Sequence, residues 1–146
     1  MPATTTNRLQ KGRIGWGPQI AHIIKNGVAI PKGVMASESG ADGIVNLDDS
    51  VASLVFVGVM VGVNKGQTPA TGDSGGTIKG VIAKSGSFWF VAETGTPDKS
   101  WLGKLLFGRF NQSVALTASA GNSYKVGECI DFDGTNVEVL INTMLK

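Results

Sequence analysis

Alternation of apolar and polar residues is clearest at the C-terminal end of the chain. β-rich runs from Val126 to Phe132 and from Thr135 to Ile141 flank Asp133-Gly134, a dipeptide that marks a two-residue hairpin turn. Such a loop pairs Phe132 with Thr135, Ile130 with Val137, Glu128 with Val139 and Val126 with Ile141, and period-2 alternation puts all of these on one face. That face is apolar except at Glu128 and Thr135. The other face, with Gly127, Cys129, Asp131, Asn136, Glu138 and Leu140, is mixed and suits solvent or a neighbouring subunit. Glu128 is the anomaly, an acid on an apolar face, expected at a rim or paired across an interface.

The same reading predicts a second hairpin around Ser85-Gly86-Ser87, joining Thr77–Lys84 to Phe88–Ala92. Further strands are predicted at Ile20–Ile24, Val28–Ala36, Gly43–Leu47, Ser53–Val63, Leu102–Phe110 and Ser113–Thr117. Turn clusters separate them: Pro31-Lys32-Gly33, Glu38-Ser39-Gly40, Asn64-Lys65-Gly66, Thr71–Gly76 and Gly95-Thr96-Pro97-Asp98. About ten short strands at this spacing predict an all-β protein, a small single-domain β-barrel or sandwich. Residues 1–18 carry Gly12, Gly15 and Gly17 with little alternation and read as an extended N-terminal arm; residues 19–146 form the β-barrel domain. Glycine and isolated charges bury little surface, so the arm is expected to be mobile until a partner orders it.

Composition agrees with the pattern. Val (15) and Ile (10) outnumber Leu (9), Glu (4) and Gln (4) combined, which favours strands over helices, and 146 residues suit one core. The start, Met1–Arg8, is polar and is not expected to direct export. Val51–Val63, interrupted by Gly58 and Gly62, falls short of the ~20 residues that span a bilayer, so a soluble protein without membrane contact is expected. A single Cys129 and a single His22 supply neither an internal disulfide nor an ordinary zinc site. Charge changes the picture more. Residues 1–32 hold Arg8, Lys11, Arg13, Lys25 and Lys32 and no acid, whereas the remainder holds 8 basic and 11 acidic residues. A basic head on a slightly acidic body points the N-terminal segment at a negative surface.

Several motifs invite chemistry. Gly72-Asp73-Ser74-Gly75-Gly76 resembles the nucleophile loop of trypsin-like serine proteases, and His22 and Asp48 or Asp49 precede Ser74 in the chymotrypsin order. That mechanism needs a cleft between two six-stranded barrels, and twelve strands are not expected to fit beside an arm. Asp, Ser and three glycines also have local reasons to form a polar turn before a strand. A non-enzymatic protein is therefore expected, with a protease using His22, Asp48 and Ser74 as a distant alternative. His22, between Ile20 and Ile24 by alternation, reads as a partly buried structural imidazole. Asp131-Phe132-Asp133-Gly134 has the opening of a calcium loop, but no third acid follows and position 142 is Asn. Gly103-Lys104 lacks the upstream glycine of a phosphate loop. Neither metal nor cofactor is expected. Arg8, Lys11, Arg13 and Trp16 suit phosphate tracking, yet the acidic body offers no basic face for direct nucleic-acid binding.

Taken in order, the remaining pattern resembles the small β-rich decoration, or cement, proteins on the capsids of tailed bacteriophages. The resemblance is diffuse and spans most of the chain. It runs through Thr6-Asn7-Arg8, Pro31-Lys32-Gly33 leading into Val34-Met35-Ala36, Val57-Gly58-Val59 and Gly86-Ser87-Phe88-Trp89-Phe90. It continues through Leu102–Phe107, Asn111-Gln112-Ser113-Val114 and the closing hairpin from Val126 to Ile141; the glycine-rich Thr68–Gly76 connection is longer than such proteins have. The resemblance implies a non-catalytic β-barrel, made in the host cytoplasm, that binds the capsid exterior of the virion as a homotrimer or other small oligomer. It implies that the arm contacts the major capsid protein through Thr6, Asn7, Arg8, Lys11, Arg13 and Trp16, bridging its subunits. Another virion β-module, of a tail tube or fibre base, is the competing expectation.

Overall fold

The computed structural model describes residues 3–119 and 121–144. Twelve strands occur among them: β1 (Gln19–Ile23), β2 (Ala29–Ile30), β3 (Met35–Glu38), β4 (Ile44–Asn46), β5 (Val55–Val63), β6 (Ala70–Thr71), β7 (Lys79–Ala83), β8 (Ser85–Ala92), β9 (Leu105–Phe110), β10 (Ser113–Ala115), β11 (Lys125–Phe132) and β12 (Asn136–Asn142). The protein is all-β, as its Val and Ile content predicts; the one helical turn among the described residues is a 3-10 turn at Lys99–Trp101. Strands β10-β8-β12-β11-β9 close into a barrel, in which only the β10–β8 pair is parallel. Strands β1-β7-β5-β3-β4 form an antiparallel five-stranded sheet, and β2 pairs with β6 as a small ribbon. A single bridge, Ile24 to Ile44, brings the two edges of the five-stranded sheet together at one end.

The barrel domain is thus a barrel joined to a second sheet, and the twelve strands excluded on grounds of length do fit, because several are only two or three residues long. The two units share a core. Phe88, Phe90, Leu106, Val114, Val137, Val139 and Ile141 from the barrel pack with Met35, Val59 and Ala83 from the sheet. A second cluster, including Ile24, Ile30, Val57, Met60 and Ile82, lies between the sheet and the ribbon.

No hairpin forms at Ser85-Gly86-Ser87. The chain passes from β7 in the sheet to β8 in the barrel through Lys84 alone. Neighbours hold that joint from both sides: the Lys84 N–H donates to the Pro18 carbonyl (2.9 Å), and its carbonyl accepts from the Thr143 N–H (2.8 Å). Small residues stand there because other chain lies against them, which local turn propensity does not anticipate. The strand predicted over Val28–Ala36 breaks at Pro31–Gly33, and the one over Leu102–Phe110 starts only at Leu105. On β5, Gly58 adopts φ of 137°, where a Cβ would sit 2.3 Å from the Ala83 carbonyl oxygen, so only glycine fits this crossing.

The C-terminal hairpin exists with a different register. Asp133 Oδ1 accepts from the N–H groups of Thr135 (2.9 Å) and Asn136 (2.7 Å), the strands are joined by Asp133-Gly134-Thr135, and Phe132 pairs with Val137. A bulge at Ile130 then pairs Cys129, not Glu128, with Val139. The one-residue shift exchanges the faces locally, at Glu128 and Cys129, while Val126 stays in the core. Cys129 enters the core, Glu128 turns to solvent, and the anomaly of an acid on the apolar face disappears. Burial pushes the Cys129 thiol above its ordinary pKa. Stability measured by urea denaturation tests this assignment. Glu128→Ala should change it by less than ~0.5 kcal/mol, whereas Cys129→Asp, which buries an unpaired carboxylate, should cost at least about 3 kcal/mol.

Candidate functional site

The described part of the arm, residues 3–18, does not project from the barrel; Met1 and Pro2 lie outside the described residues. In β8 the backbone groups of Ser85, Ser87 and Trp89 face the edge that β10 leaves open, and the arm runs antiparallel along it. Gly17 N–H donates to the Ser85 carbonyl (3.0 Å) and Ser87 N–H to the Ile14 carbonyl (3.1 Å). At Trp89 the arm bows away, and the Gln10 side chain takes the place of a peptide unit. Its Oε1 accepts from the Trp89 N–H (2.7 Å), and its Nε2 donates to the carbonyls of Trp89 (3.1 Å) and Gly33 (2.9 Å). Gly12 is required at the closest approach: a Cβ there would lie 1.7 Å from the Ser87 carbonyl oxygen.

The anchor of this seat is Glu138. Alternation places it on the outer face of β12, yet it is 0% exposed because the arm crosses over it. Its carboxylate accepts from the Arg13 N–H (2.6 Å), Arg13 Nε (3.0 Å) and Ser87 Oγ (2.6 Å). Arg13 also lies 3.5 Å from Asp131 and donates to the Ile130 carbonyl at 3.3 Å. A buried carboxylate is tolerable only when its lone pairs are taken up in this way. In the structure the arm lies seated on the barrel, held by these polar side chains together with its backbone bonds to β8.

Of the predicted contact residues, the structure brings most together on one surface. Thr6 is exposed, its hydroxyl 3.1 Å from that of Thr4. Asn7 accepts from the Lys32 N–H (2.8 Å) and donates to the Thr68 carbonyl (3.2 Å), tying the arm to two turns. Arg8 donates to Gln112 Oε1 (2.7 Å) and to the Trp89 carbonyl (3.3 Å), and partial burial lowers its pKa from the ordinary value. Lys11 is exposed, and the Arg13 side chain is 64% exposed despite its partners. Trp16 stacks on Phe88, ring centroids 6.0 Å apart, and remains 42% exposed. Leu9, at 79%, is the most exposed large apolar side chain among the described residues. Gln10, Ser87 and Glu138 were not singled out by the sequence; Glu138 carries the one readable signal, an acid in the middle of a β-rich run.

The protease-like residues find other partners. His22 Nδ1 is 2.8 Å from Glu38 Oε1. Ile23, next along β1 and so on its other face, lies against Gly76, beside the Ser74 loop. Asp48 Oδ1 accepts from the N–H (2.9 Å) and hydroxyl (2.7 Å) of Ser50, and Asp49 lies 3.6 Å from Arg109. Asp73 folds its own turn, accepting from the N–H groups of Thr77 (2.8 Å) and Ile78 (3.2 Å) and from the Thr77 hydroxyl. No cluster of three or more metal-ligating side chains occurs among the described residues. The chain matches no protein-family model, and a search of curated proteins finds no match.

Two outcomes follow from this geometry. Glu138→Ala strands the Arg13 N–H and the Ser87 hydroxyl; charge-assisted bonds of this kind contribute about 1.5–3 kcal/mol. The urea midpoint should fall accordingly, and trypsin should cut after Arg13 faster than in the parent protein. At Asp73 the Thr77 hydroxyl bond, then the backbone bonds, lower the carboxyl pKa from 3.8. A depressed carboxylate stabilises the turn above the unfolded pKa, and that contribution is lost as pH falls through the lower folded value. The protection of the Thr77 and Ile78 amides, relative to their intrinsic exchange, should therefore fall below pH ~4, and Asp73→Asn should abolish that acid dependence.

Proposed function

We propose that this protein is a structural virion component that decorates the outer surface of a phage capsid, bridging major capsid protein subunits and stabilising the shell as a small oligomer, with a trimer favoured. The observation that carries the reading is the arm surface. An acid-free N-terminal segment lies along the barrel and presents Leu9, Lys11 and Trp16 beside Lys32. Cationic and apolar groups interleaved on a seated strand suit adhesion to an acidic protein surface. Exposed Ile20 and Ile23 on edge strand β1, with Val55 and Leu105, offer apolar area for contact between copies. Repeated over a lattice, individually weak contacts resist the outward pressure of packaged DNA collectively.

The test is co-sedimentation with expanded, undecorated heads of the phage whose genome encodes the chain, together with light scattering of the free and head-bound protein. Saturable binding to heads supports the reading. Binding to tails instead of heads, or to neither at micromolar protein, overturns it. Lys11→Ala combined with Lys32→Ala leaves the Glu138 anchor intact; head affinity should fall about tenfold at low salt and its salt dependence should flatten.

A further inference from the structure

Between the arm and the turn from β2 to β3 lies an open cavity of about 310 Å³, whose walls include Arg8, Leu9, Trp16, Lys32, Met60 and Val61. Arg8 is unusual in it. Its two side-chain acceptors, Gln112 Oε1 and the Trp89 carbonyl, are both neutral, and its Nε is buried with no partner. Among the described residues no carboxylate lies within ion-pair distance of Arg8 or of Lys32. Arg13 a few residues on has two carboxylates. Arg8 and Lys32 thus line the cleft as two cations with no carboxylate beside them, and a carboxylate is the group that complements them best. Leu9, Met60, Val61 and the exposed side of Trp16 supply the apolar part of the wall, beside the polar Asn7 and Gln10.

We infer that this cleft seats one acidic side chain of a partner protein, with an apolar side chain of the same segment beside it against Trp16 and Leu9. The volume is at the lower end of the range for small-molecule sites, about 300–1,000 Å³, and holds one or two side chains rather than a cofactor. One wall is the arm segment from Asn7 to Gln10, which the occupant would lie beside. The inference deepens the decoration reading by specifying what the arm surface grips, and its test needs no capsid.

Titration of the full-length, isotope-labelled protein with acetyl-Leu-Glu-Leu-amide, followed by NMR at the Arg8 Nε–H and the Trp16 indole N–H, measures the seat directly. Saturable shifts at both are expected, with affinity at least tenfold weaker for acetyl-Leu-Gln-Leu-amide and for sodium acetate. Lys32→Gln and Leu9→Ala, both at exposed side chains, should each weaken the Glu peptide at least threefold while leaving the thermal transition in place. Absence of saturation by about 20 mM, equal binding of the Gln peptide, acetate binding as tightly as the Glu peptide, or indifference to both substitutions would each overturn the seat. A protein that binds the Glu peptide but not heads retains the seat and loses the decoration reading; one that binds heads but not the peptide does the reverse.

Discussion

A carboxylate shut away from water must be satisfied by its neighbours, and at Glu138 those neighbours come from the far end of the chain. The arm reaches across the barrel wall to supply them, through the backbone and guanidinium of Arg13, with Ser87 completing the set. Without the arm, Glu138 and the polar edge of β8 would face solvent; without Glu138, the arm would keep only its bonds along that edge and to the flanking turns. Each makes the other's conformation worthwhile. The cavity by Arg8 and the exposure of Leu9, Lys11 and Trp16 follow from where this interaction pins the strand.

Charge is deployed in two ways along the same segment. Arg13 is neutralised internally and serves the fold, whereas Arg8 is held by neutral acceptors and keeps unused donor capacity. A basic head on an acidic body is therefore not one feature. Part of it is consumed by intramolecular pairing or, at Arg8, by neutral acceptors, and the remainder, Lys11 and Lys32, faces outward. This division is why the total charge of the N-terminal segment overstates what is offered to a partner.

Much of the architecture was legible where it is local. Val137, Val139 and Ile141 alternate into the core as their spacing requires, and Asp133 does turn the chain. Legibility ended where a non-local contact outweighed local preference. The bulge at Ile130 lets Cys129 replace Glu128 in the core, and no turn signal encodes it. Ser85-Gly86-Ser87 resembles a hairpin turn, yet its residues are small because the arm presses on them, with Gly86 close to the backbone of Gly15 and Trp16. The surface residues were named from resemblance and composition, but their common seat depends on pairing across 125 residues of chain, which alternation alone cannot reveal.

The substitution of the Gln10 side chain for a peptide unit, and the reliance on Glu138, have a consequence for biosynthesis. The arm is made well before the strand that carries its anchor, which lies 125 residues further along the chain. Until β12 is made, the barrel cannot close and β8 lacks its longest strand partner. Pairings this distant in sequence form slowly and leave strand edges open meanwhile. The early part of the chain is accordingly the part least able to pair wrongly: its glycines and scattered positive charges make it a poor template for other strands. A sequence read first as too plain to fold by itself is suited to waiting, unpaired, until β12 is made.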